Sequence, residues 1–228
     1  METVLVTGEI YHIFNRSIAD YKIFNQEEDF LRFVEALRFY QNIKNSSSFS
    51  QFIKSKKRNS KSEMKVLNGD NRIVEIIAYC IMPTHTHLIL KQLIDNGIST
   101  FMNNLLNSYT RYFNLKHNRK GPLWEGRFKR VLIKSDEQLL HLTRYIHLNP
   151  VTAYLVNNPE DWLASSYKEY IEPKIKFPIC KFEGLIDIKP EKYKEFVKDR
   201  ISYQRELTKI KDLLLEPIQP TRLTYAVE

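Results

Sequence analysis

The chain has little cysteine, two residues in 228 (Cys80 and Cys180). That excludes a disulfide framework and a multi-cysteine zinc module. Cys80 stands in an apolar run and reads as a small core residue. Long hydrophobic runs are missing too: no stretch approaches the roughly 20 apolar residues that span a bilayer. The N-terminus has no basic region followed by an apolar run, so no signal peptide is expected. There is no internal repeat. A soluble, cytoplasmic protein without a membrane partner is the expectation. Acidic residues are also short, 27 against 35 Lys and Arg, which leaves a net charge of +8.

That surplus is unevenly placed. Residues 44–65 carry seven Lys or Arg against one Glu, and residues 111–134 carry eight against one. The remainder of the chain is therefore net acidic. Clustered positive charge fits a phosphate-binding surface, and a solvated face is the plain alternative. Hydrophobic residues make up 43%, enough for a packed core.

One stretch organises the rest: Pro83-Thr84-His85-Thr86-His87-Leu88. An apolar, β-branched run, Ile76 to Met82, precedes it, and Leu88-Ile89-Leu90 follows. Two adjacent strands joined by a tight Met-Pro-Thr connection are expected. Residues i and i+2 of a strand share a face, so His85 and His87 present two imidazoles side by side. Such a pair can hold a divalent metal and leave other positions open. A His-x-His pair by itself is also common in ordinary strands.

A second stretch, Thr143-Arg144-Tyr145-Ile146-His147-Leu148-Asn149-Pro150, closes a predicted helix. Ser135 is a good N-cap, and Gln138 completes a capping box. Asp136 and Glu137 suit the positive end of the helix dipole. Leu139, Leu142 and Ile146 recur at helical spacing, and Pro150 is expected to stop the helix. Tyr145 and Asn149 are four residues apart and share a face, with Asn149 at the frayed end.

In chain order the pattern predicts a strand over 5–15, then a helix opened by Asn25-Gln26-Glu27-Glu28 with Phe30, Phe33, Val34 and Leu37 as its stripe. A Lys/Ser-rich flexible insertion is expected over about 44–66. Strands over 73–82 and 85–92 follow, then a helix over 99–117 with an apolar edge of Phe101, Leu105, Tyr109 and Phe113. Its other face carries Asn103, Asn104, Asn107, Ser108 and Arg111, suited to sugar and phosphate. A loop over 117–126, a strand over 127–133 and the Tyr145 helix complete the set. Trp124 in the loop reads either as a stacking platform for an unpaired base or as a ring packed beneath the loop. This order gives an α+β fold, an antiparallel sheet with helices on one face. Residues 171–228 read as a C-terminal extension with a helix around 190–214.

The motifs Met82-Pro83-Thr84-His85-Thr86-His87-Leu88 and Arg144-Tyr145-Ile146-His147-Leu148-Asn149-Pro150 together resemble the single-tyrosine HUH transposases of the IS200-like superfamily. The REP-associated tyrosine transposases are the branch they are most similar to. Tyr11-His12-Ile13-Phe14-Asn15-Arg16, Gly121 to Phe128, and Asp161-Trp162 through Ser165-Ser166-Tyr167 match in order, so the resemblance covers about residues 8–170. Thr84 and Thr86 depart from it, where Asn and a bulky apolar residue are usual. The resemblance implies a ferredoxin-like (RRM-like) catalytic domain over 1–170. It implies Tyr145 as nucleophile, giving a 5′-phosphotyrosine on single-stranded or hairpin DNA. It also implies Mg²⁺ or Mn²⁺ as cofactor, held by His85 and His87 with Asn149 as third ligand, and a homodimer as the active unit. Expected DNA contacts are Arg16, Arg111, Trp124, Arg127, Lys129 and Arg130. Two other classes stay open: a catalytically silent nucleic-acid-binding module, and a metal phosphoesterase that uses water.

Overall fold

The computed structural model describes residues 4–42, 48–58, 71–172 and 174–206. Four strands form one antiparallel sheet in the order β2-β3-β1-β4. They are β1 (Ile10–Arg16), β2 (Val74–Ile81), β3 (His85–Gln92) and β4 (Lys129–Leu132). The helices are α1 (Glu27–Tyr40), α2 (Phe49–Arg58), α3 (Gly97–Lys116), α4 (Asp136–Thr152), α5 (Tyr167–Ile171) and α6 (Pro190–Lys198). The architecture is α+β, as expected. β2 and β3 form the hairpin around Met-Pro-Thr, closed by the Met82 N–H donating to the His85 carbonyl at 2.8 Å.

Strand alternation divides the sheet's residues between two faces. Tyr11, Ile13, Ile76, Leu88 and Leu90 are buried against α1 and α3, through Phe33, Leu37, Phe101, Leu105 and Tyr109. Asp29 ties these helices together. Its carboxylate accepts from the Asn25 and Gln26 N–H groups at the start of α1, and from Lys116 Nζ (2.7 Å) and Tyr112 Oη (2.9 Å) on α3. This is the helical cover expected on one face. The other face is covered as well, but only over β2 and its neighbour β3. There Cys80 and Ile89 meet Leu139 and Ile146 of α4, Tyr167 and Tyr170 of α5, and Tyr193 and Val197 of α6. Over β1 and β4 that second face is open among the described residues, and Val131 is 48% exposed.

Three expectations change. Residues 49–58 of the basic insertion are a helix, because Phe49 and Phe52 recur on one side and bury against Phe39. The rest of the insertion lies largely outside the described residues. Pro150 does not stop α4, which runs on to Thr152. A proline here removes one N–H near the helix end, where few later bonds depend on it. Asn149 is accordingly not frayed: its carbonyl accepts from Ala153 N–H at 2.9 Å. Ser135 caps the helix as expected, its Oγ accepting from Gln138 N–H, but the capping box is not closed: Gln138 Oε1 accepts from Lys134 N–H and not from that of Ser135.

Thr86 faces the α1/α3 side, fully buried, and its hydroxyl has no partner among the described residues. Burying an unpaired hydroxyl costs about 1–3 kcal/mol. Thr86→Val keeps the shape and removes that cost. It should raise the melting temperature by roughly 2–4 °C per kcal/mol recovered in a chain of this size. A lower melting temperature would show that the hydroxyl is satisfied in solution.

Candidate active site

The site forms where the second face passes from covered to open. β3 brings His85 and His87 to that face. α4, packed over β2, ends its cover there and sets Tyr145 against them. A cavity of about 430 Å³ is lined by Phe14, Asn15, Arg16, His85, His87, Glu125, Gly126, Arg127, Lys129 and Tyr145. The 117–126 loop reaches this cavity because backbone bonds pin it to the end of β1: Ile18 N–H to Leu123 O (3.0 Å) and Glu125 N–H to Arg16 O (3.0 Å).

The two imidazoles are 5.0 Å apart between centroids and nearly perpendicular. The Tyr145 ring stands edge-on to His87 at 6.0 Å. Burial lowers His85 to about 4, with Arg16 adding to the effect, and pushes His87 well below its ordinary range. Both are therefore neutral at pH 7, the form a metal needs. His85 Nδ1 is hydrogen-bonded to Thr84 Oγ1 at 3.0 Å, and His87 Nδ1 to His12 Nε2 at 3.0 Å. Each ring is left with only Nε2 for a ligand. Two neutral nitrogens on a rigid strand, opening into a cavity with Arg and Lys, fit a divalent ion that keeps water or phosphate in its other positions. Among the described residues, no group of three His, Cys, Asp or Glu side chains forms a closed metal cage.

Tyr145 is 43% exposed and makes no hydrogen bond through its hydroxyl among the described residues. Partial burial raises its pKa above the ordinary phenol value. The two other tyrosines that the sequence leaves as rivals, Tyr109 and Tyr112, are occupied elsewhere. Tyr109 Oη donates to Ile23 O at 2.7 Å within the core, and Tyr112 Oη donates to Asp29.

The remaining candidates divide. Arg16, Arg127 and Lys129 line the cavity, and Arg16 also meets Asp20 at 3.4 Å. Arg130 does not join them: it pairs with Ile13, so strand alternation turns it to the α1/α3 face, whereas Lys129 pairs with Phe14. Arg111 lies in a separate groove with Arg32, Asn104, Asn107 and Tyr112, on α3 and therefore on the far side of the sheet. Trp124 is turned inward against Phe24, Phe33 and Tyr109, with its indole N–H donating to Thr110 Oγ1 at 3.1 Å. The ring packed beneath the loop, not the stacking platform, is what the structure has. Asn149 is one turn beyond Tyr145 but outside the cavity lining, and its Nδ2 is buried without a partner among the described residues. His147 faces away, buried between Tyr193 and Ser166. Sequence reasoning missed His12, Phe14 and Glu125. His12 and Phe14 alternate along β1, but only the β1–β3 register shows that they meet the His pair.

Residues 50–149 match the family model described as Transposase IS200 like. A Haemophilus influenzae protein named as a REP-associated tyrosine transposase is 31% identical over 112 residues, 44% of this chain. The match spans 63% of that relative's length. Among solved structures, a REP-associated tyrosine transposase bound to a REP hairpin aligns with 82% of this chain and 93% of its own. Its TM-score is 0.51 and its identity 18%, a likeness of fold. A transposase candidate from Deinococcus radiodurans aligns over 64% of the chain and 94% of its own at 15% identity. Its TM-score of 0.35 is too low to bear on the argument. In its central 100 residues the chain thus matches the IS200-like transposases, as the His and Tyr motifs implied, and its fold is that of a REP-associated tyrosine transposase.

Proposed function

We propose that this chain is a DNA strand-cleaving and rejoining transposase with Tyr145 as its nucleophile. The observation that carries the reading is one cavity lined by Tyr145, His85, His87, Arg127 and Lys129. Arg127 and Lys129 hold the backbone of a single strand, or of the strand flanking a hairpin, by charge and without base readout. The hairpin is supported by the likeness to a relative solved with one. His85 and His87, through their Nε2 atoms, would hold a divalent ion, Mg²⁺ or Mn²⁺, which would polarise the scissile phosphate and offset charge on the departing oxygen. Asn149, one turn beyond Tyr145, would be the third ligand.

Tyr145 Oη forms a bond to phosphorus, and the bond from phosphorus to the 3′ oxygen breaks. The phenol proton leaves as that oxygen becomes a 3′-hydroxyl. The product is a 5′-phosphotyrosine, whose bond keeps the energy of the phosphodiester for rejoining by the reverse step. Tyr145 and the two imidazoles line one cavity within the chain. A homodimer would set two such cavities on two DNA ends. Residues 1–170 are the catalytic unit in this reading, and 171–228 an extension to it.

Incubation with labelled single-stranded hairpin oligonucleotides and Mn²⁺ should give a covalent protein–DNA band on a denaturing gel, and chelation should remove it. Cleavage without such a band supports a phosphoesterase that uses water. Binding with neither supports a silent DNA-binding module.

A further inference from the structure

His12 is hydrogen-bonded to the back of the candidate metal site. It sits on β1 opposite Ile89, so it lies diagonal to His87 on the same face. Its Nε2 is 3.0 Å from His87 Nδ1, with the ring planes 18° apart. Phe14 closes on it at 5.1 Å between centroids.

Two imidazole nitrogens hydrogen-bonded at 3.0 Å share one proton, which gives two arrangements. If His12 donates from Nε2, His87 must accept on Nδ1 and carry its own proton on Nε2. That nitrogen then has no lone pair, and His87 cannot be a ligand. If His87 donates from Nδ1, its Nε2 lone pair is free and His12 carries its proton on Nδ1. We infer that His12 is a positioning residue: the acceptor that holds the His87 proton on Nδ1 and leaves Nε2 for the metal. It plays the part that a carboxylate or carbonyl plays behind most ligating histidines. His85 is served by a different partner, the Thr84 hydroxyl, which can accept from Nδ1 or donate to it.

The inference rests on His85 and His87 being ligands, and two measurements keep it separate from that reading. Nitrogen-15 NMR of the histidine rings in the metal-free protein reports which nitrogen is protonated. His87 should show the proton on Nδ1 in the wild type and lose that preference in His12→Phe. Calorimetric titration with Mn²⁺ should show affinity weakened about tenfold or more in His12→Phe. His12→Gln, whose amide oxygen can accept from Nδ1, should recover most of it. A wild type with the Nδ1 proton that takes up no Mn²⁺ overturns the metal reading, and the role of His12 with it. A His87 proton on Nε2, or equal Mn²⁺ affinity in wild type and His12→Phe, overturns the role of His12 alone. Should His12→Phe fail to fold, the wild-type ring spectrum and the His12→Gln titration still decide.

Discussion

Tyr145→Phe is expected to fold, bind hairpin DNA with unchanged affinity, and form no covalent adduct above background. Phenylalanine keeps the ring that stands edge-on to His87 and removes only the hydroxyl. That hydroxyl makes no hydrogen bond among the described residues, so its loss orphans nothing and stability stays within about 0.5 kcal/mol. Tyr109→Phe and Tyr112→Phe should behave in the opposite way. Each removes a hydroxyl that donates, to the Ile23 carbonyl and to the buried Asp29 carboxylate, at a cost of about 1–3 kcal/mol. Neither lines the cavity, so adduct formation in the folded fraction should persist. Peptide mapping of the trapped species decides: a linkage on any tyrosine other than Tyr145 ends the assignment.

The contrast among these tyrosines shows how far local pattern reaches. Tyr109 shares an apolar stripe with Leu105 and Phe113, and a stripe is legible because helical spacing is fixed. The His85 and His87 pair is legible for the same reason, from the period of a strand. The fold class follows from the order of such segments. What cannot be read depends on register and on packing between distant segments. His12 needs the β1–β3 pairing, and Arg130 needs the β1–β4 pairing to separate it from Lys129. Trp124 stands in a loop, where no periodicity says whether a ring faces in or out. Residues 49–58 read as flexible because lysine and serine dominate their composition, yet Phe49 and Phe52 suffice to seat a helix on α1. Pro150 reads as a stop because proline rules describe helix interiors, and here it lies within a turn of the C-terminus.

The C-terminal segment acts on the tyrosine helix through His147, and His147→Ala should cost more stability than Tyr109→Phe or Tyr112→Phe. Its two ring nitrogens each meet a buried hydroxyl. Thr143 Oγ1 donates to the Leu140 carbonyl, so it must accept from Tyr193 Oη at 2.9 Å. The Tyr193 hydroxyl, its proton spent, accepts from His147 Nδ1–H at 2.8 Å. His147 Nε2 meets Ser166 Oγ at 2.8 Å, and Ser166 Oγ accepts from the Tyr79 N–H of β2 and has the Tyr79 carbonyl at 3.2 Å as a second acceptor for its proton. One ring thus joins α4, α6 and the sheet. Removing it leaves a cavity and takes one hydrogen-bond partner from each of two buried hydroxyls, about 3–5 kcal/mol. Tyr193→Phe should cost about 1–3 kcal/mol. The pH dependence carries its own sign. Burial lowers His147 to about 3, against an ordinary value of 6.5 when unfolded. Below pH 6.5 the unfolded chain binds a proton that the folded chain refuses. The stability associated with the neutral ring is therefore complete above that pH and lost as pH falls, by about 1.4 kcal/mol per unit until about pH 3. His147→Ala lacks this slope, and the other buried histidines contribute equally to both proteins. Its deficit measured by urea unfolding should therefore shrink by about 2 kcal/mol between pH 7 and pH 5. A deficit that stays constant over that range would mean the ring is already charged in the fold. Because Tyr145 lies two residues before His147 on α4, Tyr193→Phe should also slow adduct formation in fully folded protein, with the nucleophile itself untouched.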